Sequence, residues 1–188
     1  MTKRKNIVLV LLILSVIVIL IYRSYTINFT NEGIINKVID RDGYSLSLET
    51  KQIPVEIFIK PEWIAFNLDE RKELKIPLLE MHNTNILLDN VWNRGNDIYF
   101  SFTTTFHMKY KAGKLLYNGF LNEDGTFTSP AGELKLYDQN MNEFPVGQIG
   151  TGPGSSFSFG IQPEEQKLIS EGFYVMYSGF NLYNYYKR

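Results

Sequence analysis

The stretch Ile98–Phe106 reads IYFSFTTTF and alternates between two kinds of side chain more regularly than any other part of the chain. A period of two residues is typical of a β-strand that buries one face and exposes the other. The chain is also 14% aromatic, and aromatic side chains favour strands over helices. We therefore predict that Ile98–Phe106 is the best-defined strand of a β-rich domain.

The sequence on both sides repeats this pattern in shorter pieces, which are separated by Gly, Asn and Asp turns. Region 61–80 lacks the alternation, and we predict a connection there, with Leu68–Leu74 forming one or two helical turns or a charged loop. Strands at intervals of about 8–15 residues indicate an all-β, antiparallel sandwich or barrel. The other predicted strands are Ile34–Ile39, Tyr44–Leu48, Val55–Ile59, Ile86–Trp92, Leu115–Leu121, Leu134–Tyr137, Phe157–Ile161 and Phe173–Tyr177.

The N-terminal region has a different pattern, because Ile7–Tyr22 is a run of apolar residues that only Ser15 interrupts. As a helix it would be roughly 24 Å long, near the short end for a membrane span. Basic residues are concentrated before the run, so the positive-inside rule places residues 1–5 in the cytoplasm. We predict one transmembrane anchor at 6–22, a juxtamembrane segment at 23–33 and an extracytoplasmic domain at 34–188. The alternatives are a cleaved signal peptide and a buried core helix.

The charge distribution and the absence of cysteine restrict the function classes. The first 26 residues hold four basic and no acidic residues, so the remainder has 15 basic and 20 acidic residues and a formal charge of −5. An acidic domain without a basic stripe argues against nucleic acid as a partner. The chain has no Cys, which excludes disulfides, thiolate metal sites and cysteine nucleophiles.

The segment Gly150–Ser156 reads GTGPGSS and is the first candidate site. Glycine-rich loops bind phosphates where a helix and, in one class, a lysine follow them. Here no lysine follows and the next residues are strand-like, so both nucleotide motifs fail. We expect a flexible connection between strands, with partner contact through Gly152, Pro153 and Gly154 as the alternative.

The C-terminal region offers a second candidate, because Tyr183, Tyr185 and Tyr186 lie close together. Tyrosine is enriched at binding surfaces and at membrane interfaces. These side chains are therefore candidate partner-binding residues. The alternative is a final strand that packs one face on the core.

Other chemistry-bearing residues do not form a recognisable motif. Asp138–Glu143 resembles the start of a calcium loop, but it lacks the required glycine and the bidentate acid, so a polar hairpin turn is expected. His82 and His107 have no second ligand at metal-binding spacing, and the acidic residues are scattered. We predict no metal site, no cofactor and no catalytic residues.

The region from Asn85 to Tyr183 resembles the small membrane-anchored immunoglobulin-like domains of bacterial envelope proteins. The resemblance lies in strand order and turn placement. The matching elements are the aromatic strand Ile98–Phe106, the Leu134–Tyr137 strand with its polar turn, a glycine-bearing loop, the aromatic strand Phe157–Phe159, the segment Pro163–Glu165 and the last strand Phe173–Tyr177. It implies an immunoglobulin-like β-sandwich with a binding or accessory role outside the membrane.

The sequence thus predicts a single-pass, non-enzymatic envelope protein with its C-terminal domain outside the cell membrane, which binds a protein or another envelope ligand. Two alternatives remain open. One is a surface enzyme that acts on cell-wall glycan or peptide, and the other is a structural subunit of a membrane complex.

Overall fold

A computed structural model describes residues 2–129 and 132–188 of the chain. The described part is mostly antiparallel β-sheet with two helices at the N-terminal end, which confirms the β-rich prediction. The helices are α1 (Thr2–Phe29) and α2 (Asn31–Ile39), and short 3-10 turns lie at Pro61–Trp63, Pro153–Ser155 and Pro163–Glu165. The strands are β1 (Tyr44–Ile59), β2 (Arg71–Met81), β3 (Thr84–Asn93), β4 (Ile98–Phe106), β5 (Ala112–Asn118), β6 (Phe120–Leu121), β7 (Phe127–Thr128), β8 (Leu134–Tyr137), β9 (Glu143–Phe144), β10 (Ile149–Gly152), β11 (Ser156–Ile161) and β12 (Phe173–Lys187).

Helix α1 is long and apolar enough to cross a membrane, over the span Leu9–Phe29, and none of that span is buried against the domain. Its polar side chains bond within the helix: the Ser15 hydroxyl donates to the Leu12 carbonyl, and the Asn28 amide donates to the Ser24 carbonyl. Internal satisfaction of this kind lets a helix carry polar groups into an apolar medium. The helix continues seven residues beyond Tyr22, which adds about 10 Å to its length.

The predicted strand Ile34–Ile39 was wrong, because these residues lie in helix α2. The Thr30 hydroxyl accepts a hydrogen bond from the Gly33 N–H at 3.1 Å and caps the helix N-terminus. Ile34, Ile35 and Val38 are buried, and their spacing places them on one helical face. Local capping and the helical spacing of the buried positions therefore override the β-propensity of the isoleucines.

Helices α1 and α2 meet in a tight corner, which lies within the region 23–33 that the sequence predicted as a juxtamembrane segment. A Cβ atom on Gly33 would lie 2.3 Å from the Thr26 carbonyl oxygen, so only glycine allows the helices to approach this closely. Across the corner, Lys37 Nζ donates to Asn28 Oδ1 at 2.6 Å.

Two five-stranded antiparallel sheets face each other across the main core. The first sheet has the strand order β1, β12, β8 and β9. Its fifth strand, β5, pairs with the part of β12 that follows the part paired with β8. In the second sheet, the order is β10, β11, β4, β3 and β2. Pro54 lies in β1 at the edge of the first sheet, as its missing N–H requires.

Strand β12 is buried along most of its length and contributes to two cores. Phe173, Val175 and Tyr177 enter the main core with aromatic residues of the second sheet. An extra residue near Gly179 then shifts the register against β1, and Phe180 becomes the next main-core residue. Beyond this bulge, Tyr183 and Tyr185 enter a smaller core with the buried face of α2.

Buried polar groups join the two sheets. Asn118 of β5 accepts a hydrogen bond from the Tyr177 hydroxyl at 2.6 Å and donates one to the Ser156 carbonyl at 2.9 Å. The backbone N–H of Asn118 also donates to the Ser155 hydroxyl. Burial raises the pKa of Tyr177 to about 12, so its hydroxyl stays a neutral donor. Each polar atom of this cluster thus has a partner in the dry interior, where an unpaired group is costly.

Region 61–80 was also predicted wrongly, because its second half is strand β2 instead of a connection. Arg71–Met81 alternates between more and less exposed side chains at the edge of the second sheet. Pro77 and two register irregularities interrupt its pairing with β3. Charged residues, proline and bulges are ordinary features of an edge strand, and they conceal its alternation in the sequence.

We expect Gly33→Ala to destabilise the full chain in detergent by about 1–3 kcal/mol, because the added methyl overpacks the corner between the helices. Helix propensity alone predicts the opposite sign, a gain of up to about 1 kcal/mol. Thermal unfolding followed by circular dichroism measures the effect. Asn36→Ala, at an exposed position of the same helix, is the matched control and should not destabilise. A stabilised Gly33→Ala variant would contradict the close packing.

Candidate functional site

One row of side chains crosses four strands on the outer face of the second sheet. Arg71 of β2 pairs with Trp92 of β3, Trp92 with Tyr99 of β4, and Tyr99 with Gly160 of β11. The Arg71 guanidinium lies 5.8 Å from the centre of the Trp92 ring. Trp92 is 37% exposed, an unusual fraction for so large a side chain in the middle of a sheet. The row therefore presents an aromatic surface to solvent.

Arg94 covers the Tyr99 ring and is held rigidly. Its guanidinium lies 4.3 Å from the ring centre, and it makes two hydrogen bonds to the Asp97 carboxylate, at 2.7 and 2.5 Å. Asp97 is nearly fully buried, and its hydrogen bonds raise the pKa of Arg94. Because the carboxylate lies over Gly160, a Cβ there would approach Asp97 Oδ2 to 2.3 Å. Glycine at position 160 is thus required for this arrangement.

Beside Tyr99 the surface sinks into a shallow trough. It consists of two adjoining hollows of about 190 and 220 Å³ that share Tyr99, Gly150 and Ser158. Ser158 pairs with Gly150 on one side and with Ser101 on the other, so hydroxyl groups and bare backbone form the floor. The remaining lining residues are Arg94, Gln148, Thr151, Gly152, Ser156 and Phe157. The glycines keep the floor low enough for a ligand to approach the backbone.

The glycine-rich segment predicted as a flexible connection is a structured one. The Thr104 hydroxyl donates to the Gly154 carbonyl at 3.1 Å, and Ser155 is fully buried. Gly154 has φ +72°, a conformation that glycine adopts without strain. Of the three candidate residues in this segment, Gly152 lines the trough. Gly154 lies in the turn that begins with Pro153.

The three candidate tyrosines separate by exposure. Tyr183 and Tyr185 are almost fully buried, and their hydroxyls accept hydrogen bonds from the backbone N–H groups of Leu121 and Lys109. These two are core residues of the final strand. This is the alternative to partner binding that the sequence analysis gave. Tyr186 is 55% exposed and is the only one of the three with a ring available to a partner.

The remaining chemistry-bearing residues lie apart from the trough. The turn predicted at Asp138–Glu143 is confirmed: the Asp138 carboxylate accepts hydrogen bonds from the side-chain amide and the backbone N–H of Asn142 and from the backbone N–H of Asn140, and these bonds lower its pKa. His107 contacts the Asn85 amide, and His82 lies in the turn between β2 and β3. Among residues 2–129 and 132–188, no three His, Asp or Glu side chains lie close enough to hold a metal ion.

The sequence reasoning missed Arg71, Trp92, Arg94 and Tyr99. A signal was present, because Tyr99 is an aromatic residue on the polar face of the most regular strand, and Trp92 takes the equivalent position before the turn. Exposed Trp, Tyr and Arg are the residue types that dominate binding surfaces.

Comparison with protein-family models, with curated proteins and with solved structures found no match to this chain.

We expect Gly160→Ala to displace the Asp97 carboxylate and release Arg94 from the Tyr99 ring. In the unsubstituted chain, the hydrogen bond to Asp97 protects the Arg94 Nε–H from exchange with solvent. In Gly160→Ala this hydrogen should exchange about tenfold faster. Nuclear magnetic resonance of the arginine side chain in micelles measures this rate. Gly150→Ala is the control, because its Cβ would meet only the Ser158 hydroxyl, which can rotate away. Unchanged exchange in Gly160→Ala would contradict the proposed arrangement.

Proposed function

We propose that the chain is a single-pass, membrane-anchored, extracytoplasmic binding or accessory protein of the bacterial cell envelope, and that it is not an enzyme. The observation that carries the proposal is a trough with aromatic and polar walls on a domain joined directly to a membrane-length apolar helix. Basic residues before the helix favour a cytoplasmic N-terminus. The domain then lies on the outer side of the membrane.

We propose that the trough binds an envelope glycan that carries carboxylate groups. The Trp92 ring and the part of the Tyr99 ring that Arg94 does not cover offer apolar surfaces suited to the faces of sugar rings, one strand apart. Ser101, Ser158 and Gln148 offer hydrogen-bonding groups to hydroxyls, and the Arg94 N–H groups that Asp97 does not engage can donate to a ligand carboxylate. Since the Asp97 pair already fixes Arg94, binding costs little side-chain entropy.

We also propose an immunoglobulin-like arrangement for the two sheets. Its support is the pair of facing antiparallel sheets and the strand order from Asn85 onward that suggested the resemblance. Two features differ from a plain sandwich: helix α2 covers part of the domain, and β12 pairs with three strands. The binding proposal does not depend on this classification.

The anchored topology can be tested with Leu68→Cys, because the chain has no other cysteine. Leu68 is 71% exposed and follows the end of β1 that lies away from α2. In intact cells of the native host, a membrane-impermeant maleimide should label Leu68→Cys, and the labelled protein should remain in the membrane fraction. The control Thr2→Cys should react only after lysis. Labelled protein in the medium, or labelling of Leu68→Cys only after lysis, would contradict the topology.

Glycan binding can be tested by co-sedimentation of the full chain, held in nanodiscs, with purified insoluble peptidoglycan. We expect Tyr99→Ala to weaken binding about tenfold, since one aromatic stacking contact contributes about 0.5–1.5 kcal/mol beyond the area it buries. Tyr174→Ala is the matched control, because Tyr174 lies in the first sheet, where its ring contacts that of Phe58 in a tilted arrangement. Absence of binding, or equal loss in both variants, would contradict the assignment of glycan to the trough.

A further inference from the structure

A stack of aromatic rings connects the end of helix α1 to the β-domain. The Tyr25 and Phe29 rings of α1 lie 5.9 Å apart, and the Phe29 ring lies 5.0 Å from that of Tyr110, between β4 and β5. Lys187, at the end of β12, places its ammonium 3.7 Å from the centre of the Tyr110 ring and donates to the Tyr110 hydroxyl. Phe29 is also the last residue of the apolar span Leu9–Phe29. The stack therefore begins where the helix would leave a bilayer.

Cations without acidic partners surround this stack. Lys109 and Lys111 flank Tyr110 directly in sequence, and both are exposed. In the part of the chain that the structure describes, no carboxylate lies within 4.0 Å of the ammonium groups of Lys109, Lys111 or Lys187. The nearby lysines 37 and 114 are instead paired, with Asp42 and Glu49 respectively. A local positive surface thus occurs on a domain whose formal charge is −5.

We propose that these residues form a lipid-binding collar, consisting of Tyr25, Phe29, Lys109, Tyr110, Lys111 and Lys187, that binds the headgroups of anionic phospholipids. Tyrosine and phenylalanine rings favour the boundary between acyl chains and headgroups. Lysines near an anionic leaflet are attracted to it electrostatically. The proposal rests on the membrane-spanning helix of the proposed function, but it requires neither a particular topology nor glycan binding.

The collar would hold the domain against the membrane in one orientation. The corner at Gly33 fixes α2 against α1, and the Phe29–Tyr110 stack provides a second connection between α1 and the domain. With two connections to the helix and a third contact to lipid, the domain could not rotate freely about its anchor.

The test uses the full chain with a single cysteine, Ala112→Cys, next to the collar and at an exposed position. The cysteine carries a bimane fluorophore, and the protein is placed in nanodiscs that contain a lipid with a nitroxide on its headgroup. We expect about twofold or more stronger quenching in nanodiscs that contain phosphatidylglycerol than in phosphatidylcholine alone. High salt should remove the difference, because it screens exposed charges.

Lys109→Gln with Lys111→Gln should reduce quenching to the level seen in phosphatidylcholine. Lys75→Gln with Lys167→Gln makes the same change in charge at exposed positions outside the collar and should have no effect. Equal quenching in both lipids, or equal loss in both double variants, would overturn the proposal. Inorganic phosphate at matched ionic strength should not reduce quenching, and a reduction would identify a site for free phosphate instead of lipid.

A failure of the anchor itself gives a different result. If α1 does not insert into a bilayer, the protein separates from the nanodiscs during size-exclusion chromatography, and quenching is absent for every variant. Co-elution with the nanodiscs together with equal quenching in both lipids overturns the collar alone.

Discussion

The structure depends on the pairing of β12 with three other strands. This strand has β1 along one side, and β8 and then β5 along the other. The main core lies on one face of this strand and the smaller core on the other, and the bulge near Gly179 lets the strand contribute to both. Tyr183 and Tyr185 would otherwise expose large rings to solvent, so α2 is needed as a cover.

Where one face of a strand is buried and the other is solvated, the sequence predicted the structure well. Strands β4, β8 and β11 are such cases, since the alternation of apolar and polar residues is a direct consequence of the pleat. The prediction failed at α2, where isoleucines were read as strand residues although Thr30 provides a helix cap. It also failed at β2, because the charged residues and Pro77 that protect an edge strand interrupt its pattern.

The candidate site was only partly accessible to sequence reasoning. Gly152 was a candidate because it lies in a glycine-rich segment, and it does line the trough. Tyr99 was treated only as a residue on the polar face of an alternating strand. Its role depends on register: consecutive strands bring Arg71 and Trp92 into its row, and β11 brings Gly160 from a distant part of the chain. A single sequence does not specify the register between strands that are not consecutive, such as β4 and β11, so the trough between them could not be predicted. It also does not specify where a helix end meets a distant loop, so the stack at Tyr110 could not be predicted either.

The corner at Gly33 has a mechanical consequence for any assembly of this protein. A flexible tether lets a membrane-anchored domain present any of its sides. A domain that is fixed to the anchoring helix instead rotates together with that helix as one rigid body. Successive residues of a helix are about 100° apart around its axis. In the proposed membrane-anchored arrangement, the face of α1 that meets a neighbouring helix would therefore also determine the direction in which the trough points. Substitutions on that face of α1 would thus redirect the trough without changing any residue that lines it.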